Sequence, residues 1–118
     1  MKTVSIVVPV YNEEDNLREF HKRITEVMEK EPYDYKIVFV NDGSSDNSAV
    51  ILSELAKEDN HVEAYLLSRN YGHQMALTCG LDNAEGDAIV TMDGDMQHPP
   101  EVVPQLLRLW EEGNEIVI

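Results

Sequence analysis

The chain has 118 residues, 42% of them hydrophobic, and a formal net charge of −14 from 23 acidic and 9 basic residues. This length and apolar content suit one globular domain rather than a disordered chain. The negative charge disfavours nucleic acid and anionic membrane surfaces as partners, and an acidic protein that binds a phosphate ligand needs a counter-charge such as a divalent cation.

The single cysteine, Cys79, excludes a disulfide within the chain and fits a reducing compartment, so a cytoplasmic location is expected. The amino-terminal apolar run is interrupted by Pro9, lacks a small-residue cleavage site and is too short to cross a bilayer. It is therefore interpreted as a first strand and not as a targeting segment.

Apolar runs rich in β-branched residues predict strands that are covered on both faces. They lie at 3–10, 35–40, 62–68 and 88–92, and a fifth run begins at 115–118. Because the chain stops inside this fifth run with no helix to cover it, we expect residues 1–118 to be the amino-terminal part of a larger, truncated domain.

Helical spacing of apolar residues fills the intervals between these strands. The pattern predicts a first helix with Asn12 as its N-cap and a second from about Ser48 to Asp59. A third, weaker helix ends near Ala84, and a fourth carries Pro100 in its first turn. Strands that alternate with helices predict an α/β fold, a three-layer α/β/α arrangement around a mostly parallel, Rossmann-like sheet.

Polar residues collect in the loops that follow the predicted strands, at 9–15, 41–48, 69–74 and 93–100. These loops are rich in Asp, Asn, Gly and Ser, whereas the loops that precede the strands are plainer. Since the carboxyl ends of parallel strands share one edge of a sheet, and ligands bind there, the asymmetry predicts a polar ligand at that edge.

The Asp93-Gly94-Asp95 stretch follows the fourth predicted strand. Side chains two residues apart share one side of an extended segment, so the two carboxylates favour a cation between or beside them. Mg²⁺ or Mn²⁺ suits one or two carboxylates with substrate phosphate oxygens, and Gln97 offers an amide oxygen. His98 is a further candidate ligand for Mn²⁺. The alternatives are a turn and a solvated acidic loop.

Three other residues at this edge are candidates for ligand contacts. Asp42 directly follows a buried strand, where its carboxylate can accept a hydrogen bond from a base N–H, although the surrounding Asn-Asp-Gly-Ser is also ordinary turn chemistry. Tyr11 can stack on a planar ligand and Glu13 can accept hydrogen bonds, and both also suit a strand end followed by a helix. His73 lies in the third loop, but a lone histidine is a weak signal.

Together the four loops resemble the donor-binding part of a family 2 glycosyltransferase of the GT-A fold. The stretch "SIVVPVYNEEDNL" resembles the opening strand and loop of that family, and "VFVNDGSSDNS" is similar to its nucleotide-contacting segment. The stretch "LSRNYGHQMALTCGLDNAEGDAIVTMDGDMQHPPE" is similar to the branch that transfers sugars to polyprenyl phosphates, close to dolichyl-phosphate mannose synthase and its bacterial undecaprenyl-phosphate relatives. The resemblance covers essentially the whole chain.

The resemblance implies a nucleoside-diphosphate sugar as donor, with the sugar transferred to a polyprenyl phosphate with inversion. It implies a Mg²⁺ or Mn²⁺ ion held by Asp95, with Gln97 as a helper, to neutralise the leaving diphosphate. The residues that it implies for donor binding are Pro9, Tyr11 and Glu13 around the base, Val40 and Asp42 on the base, and Asp93 and Gly94 at the ribose and diphosphate.

The resemblance also implies that the acceptor site, the catalytic carboxylate and any membrane helices lie beyond residue 118, at the cytoplasmic face of a membrane in the full-length protein. The isolated chain is then expected to be inactive. The resemblance of "RNYGHQ" to undecaprenyl-phosphate enzymes favours uracil as the base of the donor, and guanine is the alternative. Two alternatives remain: a nucleotide-binding or self-associating module without turnover, and a phosphatase that uses the Asp93–Asp95 pair.

Overall fold

The sheet consists of parallel strands. A computed structural model describes residues 2–93 and 99–113. Within these ranges the strands pair in the order β3-β2-β1-β4, and each pairing is parallel. The bounds of the strands are Thr3–Val10 for β1, Asp34–Asn41 for β2, Val62–Leu66 for β3 and Ala88–Thr91 for β4.

Strand β1 lies between its partners because it is apolar along almost its whole length and can be covered on both faces. It pairs with β2 over its full length, from Thr3 opposite Asp34 onwards. On its other side it pairs with β4, where Val4 lies opposite Ala88. The carboxyl ends of β1 and β2 therefore finish level with each other, at the edge where the sequence predicts a ligand.

In the part of the chain that the structure describes, four α-helices flank the sheet in two layers. The buried side chains of α1, α2 and α4 join one face of the sheet in a single hydrophobic core, which includes Phe20 packed edge-on against Phe39. Helix α3 lies on the opposite face, above Val7 and Val40. The helices run from Leu17 to Glu29 (α1), Ser48 to Glu58 (α2), His73 to Asn83 (α3) and Val103 to Glu111 (α4), with a 3₁₀ turn at Pro100–Val102 before α4.

Gly80 explains how α3 approaches the sheet so closely. A Cβ atom at this position would lie 2.4 Å from Cγ1 of Val7 and 3.2 Å from Cγ2 of Val40. The lack of a side chain therefore lets the helix pack against two β-branched residues. The predicted three-layer α/β architecture with a parallel sheet is confirmed.

Two sequence predictions about element ends are wrong. Asn12 is not the N-cap of α1, because this helix begins at Leu17 with Asn16 as its N-cap. Strand β3 ends at Leu66, two residues before the predicted end. The predicted fifth strand at 115–118 lies outside the described residues. None of the helices in the described part of the chain combines the length and apolar character needed to cross a bilayer.

Candidate functional site

A cavity of about 220 Å³ lies at the carboxyl ends of β1 and β2. It brings together three of the residues that the sequence singles out, Pro9, Tyr11 and Asp42. Tyr11 is 47% exposed, so its ring is available to a ligand. The remaining lining residues are Val10 from β1, and Asn70, Gly72, His73 and Ala76 from the loop after β3 and the start of α3.

Asp42 is a buried carboxylate that organises the far wall of this cavity. It is 4% exposed, and its Oδ1 and Oδ2 accept hydrogen bonds from the backbone N–H groups of Tyr71 at 2.8 Å and Gly72 at 3.1 Å. A carboxylate oxygen has two lone pairs, so each oxygen keeps a second acceptor position. Asp42 thus holds a cavity-lining segment and retains the capacity to accept from a ligand.

The second loop (residues 42–47) and the third loop (residues 67–72) touch through their backbones at Gly43. A Cβ atom on Gly43 would lie 2.1 Å from the carbonyl carbon of Arg69, and its φ of +64° is in the left-handed region. Only glycine meets both conditions without strain. The two loops consequently form one continuous wall, and the Arg69 guanidinium lies 4.8 Å from the Tyr71 ring centre.

The first loop (residues 11–16) is joined to the second loop by hydrogen bonds in both directions. The Asn12 N–H donates to Ser44 Oγ at 2.9 Å, and Asn12 Oδ1 accepts from the backbone N–H of Ser45 at 2.8 Å. The Glu14 N–H donates to the Asp46 carboxylate at 3.2 Å. All three loops therefore form one connected structure around the cavity.

This junction changes the acidity of Asp46. Burial acts to raise the pKa of its carboxyl, but hydrogen bonds from Ser48 and from the backbone N–H of Glu14 outweigh burial and hold this pKa below its usual range. Asp46 therefore stays ionised at neutral pH and acts as a fixed acceptor between the two loops.

Asp93 and His73 meet at the edge of the site. His73 Nε2 lies 3.2 Å from Asp93 Oδ1; the His73 side chain is exposed and that of Asp93 is half-buried. His73 also lines the cavity, so this contact places Asp93 next to it. The imidazole therefore connects the cavity wall, to which the third loop contributes, with the segment that follows β4.

Two other predicted site residues, Val40 and Glu13, are described by the structure but do not line the cavity. Val40 is fully buried under α3 and is not among the residues that line the cavity. Glu13 accepts from the side chain of Asn16 at 2.8 Å and lies outside the cavity lining. Gly94 and the predicted metal ligands Asp95 and Gln97 lie outside the described residues, as does His98, so their roles stay predictions.

The described part of the chain contains no group of three or more His, Cys, Asp or Glu side chains placed to hold a metal. Of the predicted acidic pair, it includes only Asp93, whose carboxylate is engaged by His73. The Mg²⁺ or Mn²⁺ site therefore stays a prediction, because its proposed ligands Asp95 and Gln97 lie outside the described residues.

Sequence reasoning placed the third loop at the ligand edge but considered only His73 in it, and only as a weak signal. Asn70, Gly72 and His73 line the cavity, and Gly72 has a φ of +99°. The available signal was the position of "RNYGHQ" directly after a strand at the ligand edge, which applies to the whole loop rather than to one histidine.

The sequence matches a known family and curated relatives. The model of the family Glycosyl transferase family 2 matches residues 5–118. The chain is 49% identical over 113 residues to the uncharacterized glycosyltransferase YkcC of Bacillus subtilis, covering 96% of this chain and 35% of that protein. It is 46% identical over 115 residues to the undecaprenyl-phosphate 4-deoxy-4-formamido-L-arabinose transferase of Proteus mirabilis, covering 97% and 35%. The chain thus spans about a third of these relatives.

Solved structures show the same fold. Mannosyltransferase PcManGT from Pyrobaculum calidifontis, in complex with GDP-Man and Mn²⁺, matches with a TM-score of 0.69 and 24% identity over 80% of this chain and 28% of that one. TarS 1–349 of S. aureus, in complex with UDP-GlcNAc, matches with a TM-score of 0.71 and 23% identity over 93% and 31%. At these identities the likeness establishes the fold, which is that of the GT-A glycosyltransferases.

The family match covers nearly the whole chain, and the two curated relatives are aligned over at least 96% of it. The predicted resemblance to undecaprenyl-phosphate sugar transferases is confirmed. The family match also favours the glycosyltransferase interpretation over the phosphatase alternative. The chain belongs to glycosyl transferase family 2.

Proposed function

We propose that the protein transfers a sugar from a nucleoside-diphosphate sugar to a polyprenyl phosphate, and that residues 1–118 bind the nucleotide of the donor. The observation that carries this proposal is the cavity at the carboxyl ends of β1 and β2, which brings Pro9, Tyr11 and Asp42 together. A relative that shares 46% of its residues over the matched region acts on undecaprenyl phosphate, which supports the acceptor class.

The geometry suggests how the base is held. The exposed Tyr11 ring offers a stacking surface, and Asp42 offers its remaining lone pairs to a ring N–H. Each Asp42 oxygen accepts one backbone N–H and keeps one further acceptor position, so the carboxylate can accept one or two N–H groups of a base. The resemblance of "RNYGHQ" to undecaprenyl-phosphate enzymes is the reason that we favour a UDP-sugar over GDP-mannose.

The reaction is proposed to invert the anomeric carbon, as an acceptor phosphate oxygen forms its bond while the bond to the leaving diphosphate breaks. A divalent ion held by Asp95 and Gln97 would neutralise charge on that diphosphate. Asp93 lies next to the cavity through its contact with His73, a position suited to the ribose and diphosphate end of the donor. The chain covers 35% of each of these two curated relatives, so the transfer reaction of the whole protein is part of this proposal. For residues 1–118 alone, we expect binding of the donor without transfer of its sugar.

Calorimetric titration tests the proposal. UDP, GDP and their sugars are titrated into the wild-type chain with and without Mn²⁺, and into the variants Asp95→Ala and Asp82→Ala. We expect Mn²⁺-dependent binding that Asp95→Ala abolishes. Asp82→Ala is the matched control, because it removes an exposed carboxylate from the far end of α3. Failure of every nucleotide to bind the wild-type chain would contradict the proposal, as would equal losses in the two variants.

A further inference from the structure

Asn12 has a backbone conformation that few residues adopt. Its φ of +52° makes it the one non-glycine residue with a positive φ in the described ranges 2–93 and 99–113. Asparagine tolerates this left-handed conformation better than most residues, although less well than glycine. If only the backbone conformation mattered here, glycine would serve equally well.

The side chain of Asn12 has a specific set of partners. Its Oδ1 accepts from the backbone N–H of Ser45 at 2.8 Å, from Ser45 Oγ at 3.3 Å and from the backbone N–H of Asp46 at 3.4 Å. Because a backbone N–H can only donate, the oxygen and not the nitrogen of the amide faces this loop. Glycine could not make these contacts, whereas aspartate could.

The contacts of Asn12 hold the tip of the second loop. The neighbouring Glu13 N–H donates to Ser48 Oγ at 3.0 Å, which attaches the first loop to the start of α2. Asn12 instead contacts Ser44 and Ser45, the part of the second loop just after Asp42 and Gly43. It thereby couples the two loops close to where each one contributes to the cavity.

We propose that Asn12 is a positioning residue of the cavity. It does not line the cavity, but Tyr11 precedes it directly, and the loop that it holds begins with Asp42. The Oδ1 of Asn12 fixes the second loop against the first and so keeps Tyr11 and Asp42 at the spacing that one ligand requires. As a statement about ligand binding, this inference rests on the proposed nucleotide site.

Because Asn12 is exposed, water can replace its hydrogen bonds when they break, so its contribution to the free energy of unfolding is small. Its effect on ligand affinity is larger, since a displaced wall reduces contacts with the bound molecule. This difference separates a positioning role from a merely structural one.

The test compares Asn12→Gly, which keeps the backbone conformation but removes the acceptor, with Asn12→Asp, which keeps both. Asn83→Gly at the carboxyl end of α3 is the matched control, because it makes the same change at the opposite edge of the sheet. Affinity for UDP with Mn²⁺ is measured by calorimetry at moderate ionic strength, and stability by urea denaturation. Amide hydrogen exchange at Ser45 and Asp46 reports the contact without any nucleotide.

We expect Asn12→Gly to weaken UDP binding roughly tenfold, the size of effect that a lost hydrogen-bonded contact typically has, and to speed exchange at Ser45 and Asp46. Asn12→Asp should bind within about threefold of the wild type, since the acceptor remains, and Asn83→Gly should bind as the wild type does. Wild-type affinity in Asn12→Gly overturns the inference, and so does an equal loss in Asn12→Asp. If the wild-type chain binds no nucleotide, the proposed function fails, and unchanged exchange in Asn12→Gly then overturns the positioning role separately.

Discussion

The Asp42 carboxylate accepts a hydrogen bond from the backbone N–H of Tyr71 at 2.8 Å, across 29 positions of the sequence. This contact, with its companion at Gly72, joins the end of β2 to the loop that follows β3. The same aspartate that the sequence marks as a ligand contact is therefore also a structural part of the cavity wall.

Substitution Asp42→Asn should destabilise the protein and weaken nucleotide binding. An asparagine has one acceptor oxygen, so its NH₂ group would replace the acceptor of Tyr71 or of Gly72, whose N–H also donates to Asn70 Oδ1 at 2.8 Å. We expect a loss of about 1–3 kcal/mol in the free energy of unfolding, measured by urea denaturation. Asp34→Asn, an exposed aspartate at the start of β2, is the control. Equal stability of the two variants would contradict the structural role of Asp42.

Substitution Gly43→Ala should be far more damaging than an alanine at another left-handed glycine. Its Cβ would lie 2.1 Å from a backbone carbon of Arg69, which cannot move aside as a flexible side chain could. Gly113 also has a positive φ, of +92°, but a Cβ atom there would meet no atom of the described residues within 4 Å. We expect Gly113→Ala to cost about 1–2 kcal/mol through backbone strain alone, and Gly43→Ala at least about 3 kcal/mol with loss of UDP binding. Similar melting temperatures for the two variants would refute the close contact.

Substitution Gly80→Ala should destabilise the protein even though alanine favours helices over glycine by about 1 kcal/mol. The new methyl group would lie 2.4 Å from Val7 Cγ1, so α3 would have to move away from the sheet. We expect a net loss of about 1–3 kcal/mol, the usual result of overpacking a core. In a Val7→Ala background the loss should become smaller, because the crowded atom is gone. A double-mutant cycle by denaturation measures this coupling, and simple additivity would argue against it.

The Asp59 carboxylate should make stability depend on pH in acid. It accepts from the backbone N–H of His61 at 2.9 Å and contacts His21 Nε2 at 2.8 Å. Burial acts to raise the pKa of this carboxyl, but the hydrogen bonds from His61 and His21 outweigh burial and lower the pKa below its usual range. A carboxyl whose pKa is lower in the folded state stabilises the protein above its unfolded pKa of about 4, and this stabilisation disappears as pH falls through the folded value.

Asp59→Asn tests that dependence. At pH 7 we expect the variant to be less stable than the wild type by about 1–2 kcal/mol, because a charged acceptor is lost. Below about pH 4 the difference should begin to shrink, because the carboxyl of the unfolded chain then binds a proton, and it should be smallest once the pH has fallen through the lowered pKa of the folded state. Urea denaturation across this range measures it, with the exposed Asp15→Asn as control. A difference that stays constant down to the lowest accessible pH would count against the assignment.

The strands and the location of the site were predictable because they follow from local patterns. A strand covered on both faces must be apolar at consecutive positions, and β1 is. The parallel order then places Pro9, Tyr11 and Asp42 at one edge whatever the details of the loops. Burial and sheet direction together were enough to bring these three residues to one cavity.

The contacts between loops were not predictable, since their partners are distant in the sequence. Asn12 followed by acidic residues has the pattern of a helix N-cap, yet its side chain contacts Ser45, 33 positions away. The ring of His61 stacks on Tyr35 with centroids 4.1 Å apart, a contact that no local pattern in the sequence indicates. The residues that are adjacent in the sequence do not predict these contacts, because the two partners of each contact come together only when the strands have paired.

The position of β1 between β2 and β4 also bears on how the chain acquires its structure during synthesis. One side of β1 can pair with β2 once residue 41 has left the ribosome, but the other side pairs with β4, which is complete only when residue 91 has left it. During that interval an apolar strand has a free edge, the kind of surface that promotes aggregation of nascent chains. Nascent chains that are stalled with β1 and β2 outside the ribosome, but with β4 still inside it, should therefore depend on chaperones more than longer chains do.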